Sequence, residues 1–189
     1  MISHAGFADP VLDSQACFRS VLDAMARPGT IHRLGAPVDP PAPLDRATAA
    51  ALLTLVDGDT PLWMDAAALG AAEWVAFHCG AALVGMEAAA FGVAVGGVSL
   101  AGFGTGTDDG PEESATVILQ VRALGSGVAL RLEGPGLEVP SMMLVDGLPA
   151  GFVAAWAANR ALYPRGVDVI LCAGDGIAAF PRSLAIEEV

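Results

Sequence analysis

An α/β fold with a mixed sheet and flanking helices is predicted by three features of the sequence. Apolar residues recur at helical spacing over 13–26, apolar and polar residues alternate over 114–123, and the run Val167–Ala173 is almost unbroken in its apolarity. Helical and extended segments interleave along the chain, which separates this class from a bundle or a sandwich. A length of 189 residues suits one domain over 1–189 and is too short for two independent cores.

The first helix is predicted from a cap at Asp13 or Ser14 to about Ala26, with Cys17, Phe18, Val21, Leu22 and Met25 on one stripe. Arg27-Pro28-Gly29 stops it, and a short extended piece, Thr30 to Leu34, leads into a proline-dense loop over 36–43 that could be mobile. Asp45 begins a second helix with Leu52, Leu53 and Val56 facing the core and Gly58 as its left-handed terminator. Pro61 to Met64 reads as a strand. A third helix is expected from about Ala66 to Cys79, anchored by Leu69, Trp74 and Phe77 and stopped by Gly80. Short strands are expected at 82–84 and 91–95. Over 114–123, Val117, Leu119 and Val121 alternate with Thr116, Gln120 and Arg122, as a strand with one wet face requires. Gly125-Ser126-Gly127 is expected to turn that strand into a hairpin with Val128–Glu133, with Arg122, Arg131 and Glu133 on the polar face. A fourth helix, about Ala150–Leu162, carries Phe152, Val153 and Trp156. Val167–Ala173 is a central strand, and Gly174-Asp175-Gly176 turns it into Ile177–Phe180.

Composition excludes several kinds of chemistry. The chain carries 21 acidic and 9 basic residues, a formal charge of −12, and every basic residue is arginine. Without lysine there is no Schiff base to pyridoxal phosphate and no Walker-type phosphate loop. The acidic balance argues against nucleic acid or an anionic membrane as partner. The uncharged stretch from Ala88 to about Gly106 holds six glycines and suits short strands and turns better than a membrane span. The segment Met1–Gly6 shows no basic region followed by an apolar one, so a cytoplasmic location is expected. Cys17, Cys79 and Cys172 are widely spaced in apolar surroundings and read as reduced core residues.

Asp57-Gly58-Asp59-Thr60-Pro61 is the most informative polar cluster. A glycine between two aspartates allows their carboxylates to converge in a turn, and a negative charge at a helix end opposes the helix dipole. Solvated turn residues around a helix terminator are the plain alternative. The cluster also invites comparison with the aspartate nucleophile of haloacid-dehalogenase phosphatases, although the threonine stands one place early. Gly97-Val98-Ser99-Leu100-Ala101 is a poor nucleophile elbow, because His4, His32 and His78 all precede Ser99. His78, near a helix end, is open to a capping or a chemical role. No pair of histidines has zinc-ligand spacing, so no metal site is expected. Arg182 could offer a guanidinium to a phosphate or a carboxylate, or simply be solvated.

Taken together, an ordered set of segments resembles the PhnH family, the H subunits of the bacterial carbon–phosphorus (C–P) lyase system. The segments are Phe18-Arg19 with Ala24–Gly29, Leu52–Trp63, Phe77-His78 with Ala82–Val84, Ala115–Val121, Leu130–Leu132 with Gly134–Gly136, Tyr163–Leu171, and Pro181-Arg182. The resemblance implies a fold similar to the large domain of pyridoxal-phosphate-dependent transferases without the cofactor. It implies a homodimer that joins the G, I and J subunits in a core complex. It also implies a part, with partner subunits, in forming α-D-ribose 1-phosphonate 5-triphosphate from ATP and a phosphonate, ATP and magnesium being used by the complex and no cofactor bound by this chain. On that reading Asp57, Asp59 and His78 carry chemistry, while Arg27, Thr60 and Arg182 bind substrate in a shared or interface pocket. A purely structural scaffold subunit, or a standalone phosphatase using Asp57 and Asp59, are the alternatives.

Overall fold

The computed structural model describes residues 4–189, so part of the Met1–Gly6 segment lies outside the described residues. Helix α1 (Pro10–Ala26) starts earlier than the sequence suggests, because Asp9 caps it. The Asp9 carboxylate accepts from the Val11 and Leu12 amides, and Pro10 occupies the first turn, where its missing N–H costs nothing. Its buried stripe is Cys17, Val21 and Ala24; Phe18 and Leu22 are exposed instead of packed. Strand β1 (His32–Arg33) follows, and the proline-dense loop delivers the chain to α2 (Arg46–Leu55). That loop is tied down: Ala36, Val38 and Leu44 are buried, and the Gln120 amide donates to Pro43 O at 2.9 Å.

The buried run Ala47–Leu52 leaves α2 enclosed by α1, α3 and the sheet. Its end differs from the expectation. Val56 leaves the helix in an extended conformation, and Gly58 does not adopt the left-handed backbone. After β2 (Leu62–Met64), the segment expected as one long helix is a 3-10 turn (Ala68–Ala71) followed by α3 (Ala72–Cys79). Gly80, with φ of 69°, is the left-handed terminator there. Trp74, Val75 and Cys79 anchor α3, whereas Leu69 is exposed and Phe77 is 68% exposed.

Strands β3 (Phe91–Ala94), β4 (Thr116–Gln120), β7 (Asp168–Ala173) and β8 (Gly176–Phe180) complete a six-stranded sheet of order β1-β8-β7-β4-β3-β2. Strands β2, β3, β4 and β7 run parallel, while β8 is antiparallel to both β7 and β1, so that β1 runs in the direction of the other four. The central run and its tight turn at Gly174 are as expected. The segment expected at 82–84 makes only an isolated bridge, Leu83 to Leu62. Side chains alternate between two cores: Val93, Ile118, Ile170 and Ile177 face α1, α2 and α3, while Val117, Leu119, Val169, Leu171 and Phe180 face the opposite layer.

That opposite layer corrects the predicted hairpin. Strand β5 (Ala123–Glu133) does not fold back on β4. It is one bulged strand pairing with β6 (Ser141–Asp146) and β9 (Ala185–Glu188) in a three-stranded antiparallel sheet. The glycines at 125–127 form the register shift between Leu124 and Val128 rather than a turn. The wet face inferred for β4 is also covered: Gln120 on that face binds α2, so its polarity is internal. Helix α4 (Phe152–Arg160) joins this layer through Phe152 and the fully buried Trp156, whose indole donates to Leu184 O at 2.8 Å. The fold is thus α/β, a mixed sheet with flanking helices, one face carrying a second small sheet. No helix of the described residues is long and apolar enough to cross a membrane.

Candidate functional site

Four parallel strands give the large sheet two unlike edges. Asp57–Thr60 precede β2, at its amino edge. One Asp57 carboxylate oxygen accepts the Thr60 hydroxyl at 2.7 Å and the Asp59 amide at 3.1 Å, closing a turn. These two donors, the hydroxyl first, hold the Asp57 carboxyl below the usual carboxylate range. The contact from Asp59 is through its backbone N–H. The turn precedes a strand on the sheet's outer side, whereas a haloacid-dehalogenase nucleophile follows one. Gly58 lies against Gly80, where a Cβ added to Gly80 would stand 3.7 Å from the Gly58 Cα. Burial, with a smaller contribution from the Asp57 charge, pushes the neighbouring Cys79 thiol up to about 11.

The remaining predicted residues are dispersed. The His78 ring lies 4.7 Å from Trp74 and 4.9 Å edge-on from Phe77, with Nε2 3.4 Å from His4 O. It packs so tightly on Gly6 that a Cβ there would come within 2.9 Å of Nδ1. His78 thereby fastens the segment before α1. Arg27 is the C-cap of α1, exposed and 3.5 Å from Asp23. Of the environments open to Arg182, the structure shows a carboxylate and not solvent: its side chain is 16% exposed and that of Asp168 is 12%. Its Nε contacts both Asp168 oxygens at 3.2 and 3.1 Å, Nη2 meets the same carboxylate, Nη1 donates to Pro111 O, and its backbone N–H adds a further bond at 2.7 Å. Asp168 opens β7, three strand spacings from β2, roughly 14 Å. The structure groups Asp57, Asp59 and Thr60 in one turn and leaves His78, Arg27 and Arg182 in separate environments.

The carboxyl edge is different. Beyond the ends of β3 and β4 lies a crevice of about 470 Å³ that includes Asp45, Gly96, Gly97, Gln120 and Arg122. Ligands in open α/β sheets characteristically bind outside the carboxyl ends of the strands. Gln120 organises its floor, accepting from the Asp45 amide and the Thr48 hydroxyl, both at 2.8 Å. Asp45 in turn accepts from the Gly174 amide at 2.8 Å. Buried Asp65, at the end of β2, accepts from the Val95 and Gly96 amides at 2.9 and 2.7 Å and so fixes the loop after β3. Arg122 also borders an adjoining depression of about 330 Å³ with Arg33, Gly174 and Asp175.

From the sequence, Arg122 is expected on the wet face of a hairpin and Arg33 in a short extended piece. The available signal was positional: Gly96-Gly97, Val121-Arg122 and Gly174-Asp175 each follow an apolar strand. Among the described residues no cluster of histidine, cysteine and carboxylate side chains could hold a metal ion.

Comparison with known proteins covers both edges and both sheets. The PhnH family, described as bacterial phosphonate metabolism protein, matches residues 5–187. The α-D-ribose 1-methylphosphonate 5-triphosphate synthase subunit PhnH of Rhizobium meliloti (strain 1021) is 40% identical over 192 residues, covering 98% of this chain and 96% of the relative. HtxG of Stutzerimonas stutzeri, whose name proposes a C–P lyase subunit, is 33% identical over 176 residues, covering 91% and 85% of the two chains. With matches that run through every element of the fold, the chain belongs to the PhnH family of bacterial phosphonate metabolism proteins.

Proposed function

We propose that this chain is a subunit of the C–P lyase system for organic phosphonate catabolism. With partner subunits it contributes to forming α-D-ribose 1-phosphonate 5-triphosphate from ATP and a phosphonate. The observation that carries this reading is the end-to-end match to the Rhizobium synthase subunit. An open, polar crevice at the carboxyl edge, with no closed constellation of reactive side chains around it, is what a subunit that shares its site would present. The partners are a second copy of the chain and the G, I and J subunits, in the cytoplasm. The fold is that of a pyridoxal-phosphate-dependent transferase large domain that binds no cofactor, in keeping with the absence of lysine.

Asp57, Asp59 and His78 as reactive groups, and Arg27, Thr60 and Arg182 as substrate ligands, belong to this proposal at an interface with partners. A scaffold role is the second reading, favoured by their dispersal and by the commitment of Arg182 to Asp168. Affinity purification of the tagged chain from its own cell should recover the other lyase subunits; a chain recovered alone would overturn the subunit assignment. In the reconstituted assembly, Asp59→Ala, Arg27→Ala and His78→Ala should lower turnover. Full turnover with intact assembly would establish the scaffold role instead. A purified chain inert toward phosphate esters with magnesium would remove the phosphatase reading.

A further inference from the structure

Nine arginines are the only fixed side-chain cations, and most are spent on carboxylates. Arg27, Arg46, Arg122, Arg131, Arg165 and Arg182 each lie within 4 Å of an aspartate or glutamate. Arg33 has no such partner among the described residues, in a chain of net charge −12. Its place is fixed by backbone pairing of β1 to β8, Arg33 opposite Gly176, and by the Leu34 amide donating to Asp175 O at 2.9 Å. An exposed cation without a partner, on a backbone held this firmly, is available to a ligand.

Arg33 and Arg122 border the same 330 Å³ depression. Arg122 also borders the 470 Å³ crevice on one side, and Arg33 borders a larger, more apolar one of about 620 Å³ on the other. Arg122 has one ion partner, Asp146 at 3.2 Å, and its side chain is 76% exposed. Such a solvent-screened pair is worth about 0–1 kcal/mol, so an incoming anion can compete for the guanidinium. One carboxylate, Asp175, also lines the depression, and it lies 3.7 Å from the Arg46 guanidinium; Asp45, outside it, accepts from Gly174. Gly174 lines the same depression, and a Cβ there would meet nothing within 4 Å.

We propose that the depression between Arg33 and Arg122 binds a phosphoryl or phosphonyl oxyanion of a ligand that extends into the neighbouring crevices. Guanidinium groups suit such oxyanions because their planar N–H forks match the geometry of two oxygens at once. The preference for an anion rests on the arginines alone; the choice of phosphonate among its sources rests on the subunit reading above.

The test titrates the purified chain with inorganic triphosphate and, separately, with methylphosphonate, followed by calorimetry and amide chemical shifts. Either probe should shift the amides of Arg33, Arg122 and Gly174–Gly176, with affinity falling as salt rises. Arg33→Ala and Arg122→Ala should each weaken binding by about tenfold or more, Arg33→Lys should retain part of it, and Arg131→Ala should leave it unchanged. Response to triphosphate alone assigns the site to a polyphosphate chain, and response to methylphosphonate assigns it to the phosphonate. No binding of either probe, or binding unaffected by both alanine substitutions, overturns the proposal. Binding that is lost in Arg33→Ala while the reconstituted assembly turns over normally keeps the site and overturns its part in the reaction.

Discussion

The two edges of the large sheet use polar side chains in opposite ways. At the amino edge they close on one another: Asp57 on Thr60 and Asp59, Arg182 on Asp168 and Pro111. At the carboxyl edge Gln120, Asp45 and Asp65 are satisfied by backbone groups and build a frame, while Arg33 and Arg122 project from it. Charge closed onto neighbouring donors, whether exposed as at Asp57 or buried as at Asp168, is structural; charge on a rigid frame beside open space is available. The amino edge stands out in the sequence because its aspartates lie two residues apart, yet that closeness serves a turn.

Breaking the amino edge should cost the most stability. Arg182→Ala strands the Asp168 carboxylate at 12% exposure, and the loss is expected to be about 3 kcal/mol, or roughly 6–10 °C in Tm by calorimetry. Gln120→Leu tests the frame of the other edge, since it leaves the Asp45 amide, the Thr48 hydroxyl and Pro43 O without their partner. About 2 kcal/mol should be lost in denaturant unfolding. Arg33→Ala and Arg122→Ala, by contrast, should stay within about 0.5 kcal/mol of the parent in the same experiment while removing ligand affinity. A large loss from either would mean that the carboxyl-edge arginines are structural after all.

The smallest effect concerns acid. Asp57 has a lowered pKa in the folded chain, so its contribution to stability is present above the ordinary aspartate value and is lost as pH falls through the lower folded one. Thr60→Val removes the principal donor and should bring the Asp57 titration, followed by carboxyl NMR, back up toward that ordinary value. No movement would show that the turn is held by the Asp59 amide alone. The cysteines give a parallel reading of burial. Burial raises the thiol pKa at all three, to about 11 at Cys79 and about 12 at Cys172, so a thiol reagent at neutral pH should label them slowly until denaturant is added.

The parts of the fold visible in the sequence were those set by local pattern: α1, α2, the β7–β8 hairpin and α4, each with a strong apolar period or a glycine turn. The small sheet was missed because β5 contains glycines that suggest a turn but serve a bulge, and because β6 and β9 reach it only through long-range pairing. Gln120 looked like a wet-face residue for the same reason; nothing local says that α2 will cover it. The site followed suit. Asp57, Asp59 and Thr60 come together because they are neighbours in sequence, whereas Arg33 and Arg122 border one depression only through the β1–β8–β7–β4 sheet order.

The turn at Gly174 carries a last consequence. Its amide donates to Asp45, its carbonyl accepts from the Ala47 amide at 2.8 Å, and Asp45 is itself held by Gln120. The first turn of α2 and the β7–β8 turn are therefore one cooperative unit for hydrogen exchange. The amides of Asp45, Ala47 and Gly174 should exchange together, through the same opening, and an anion seated between Arg33 and Arg122 should slow all of them, including those on a helix it does not touch.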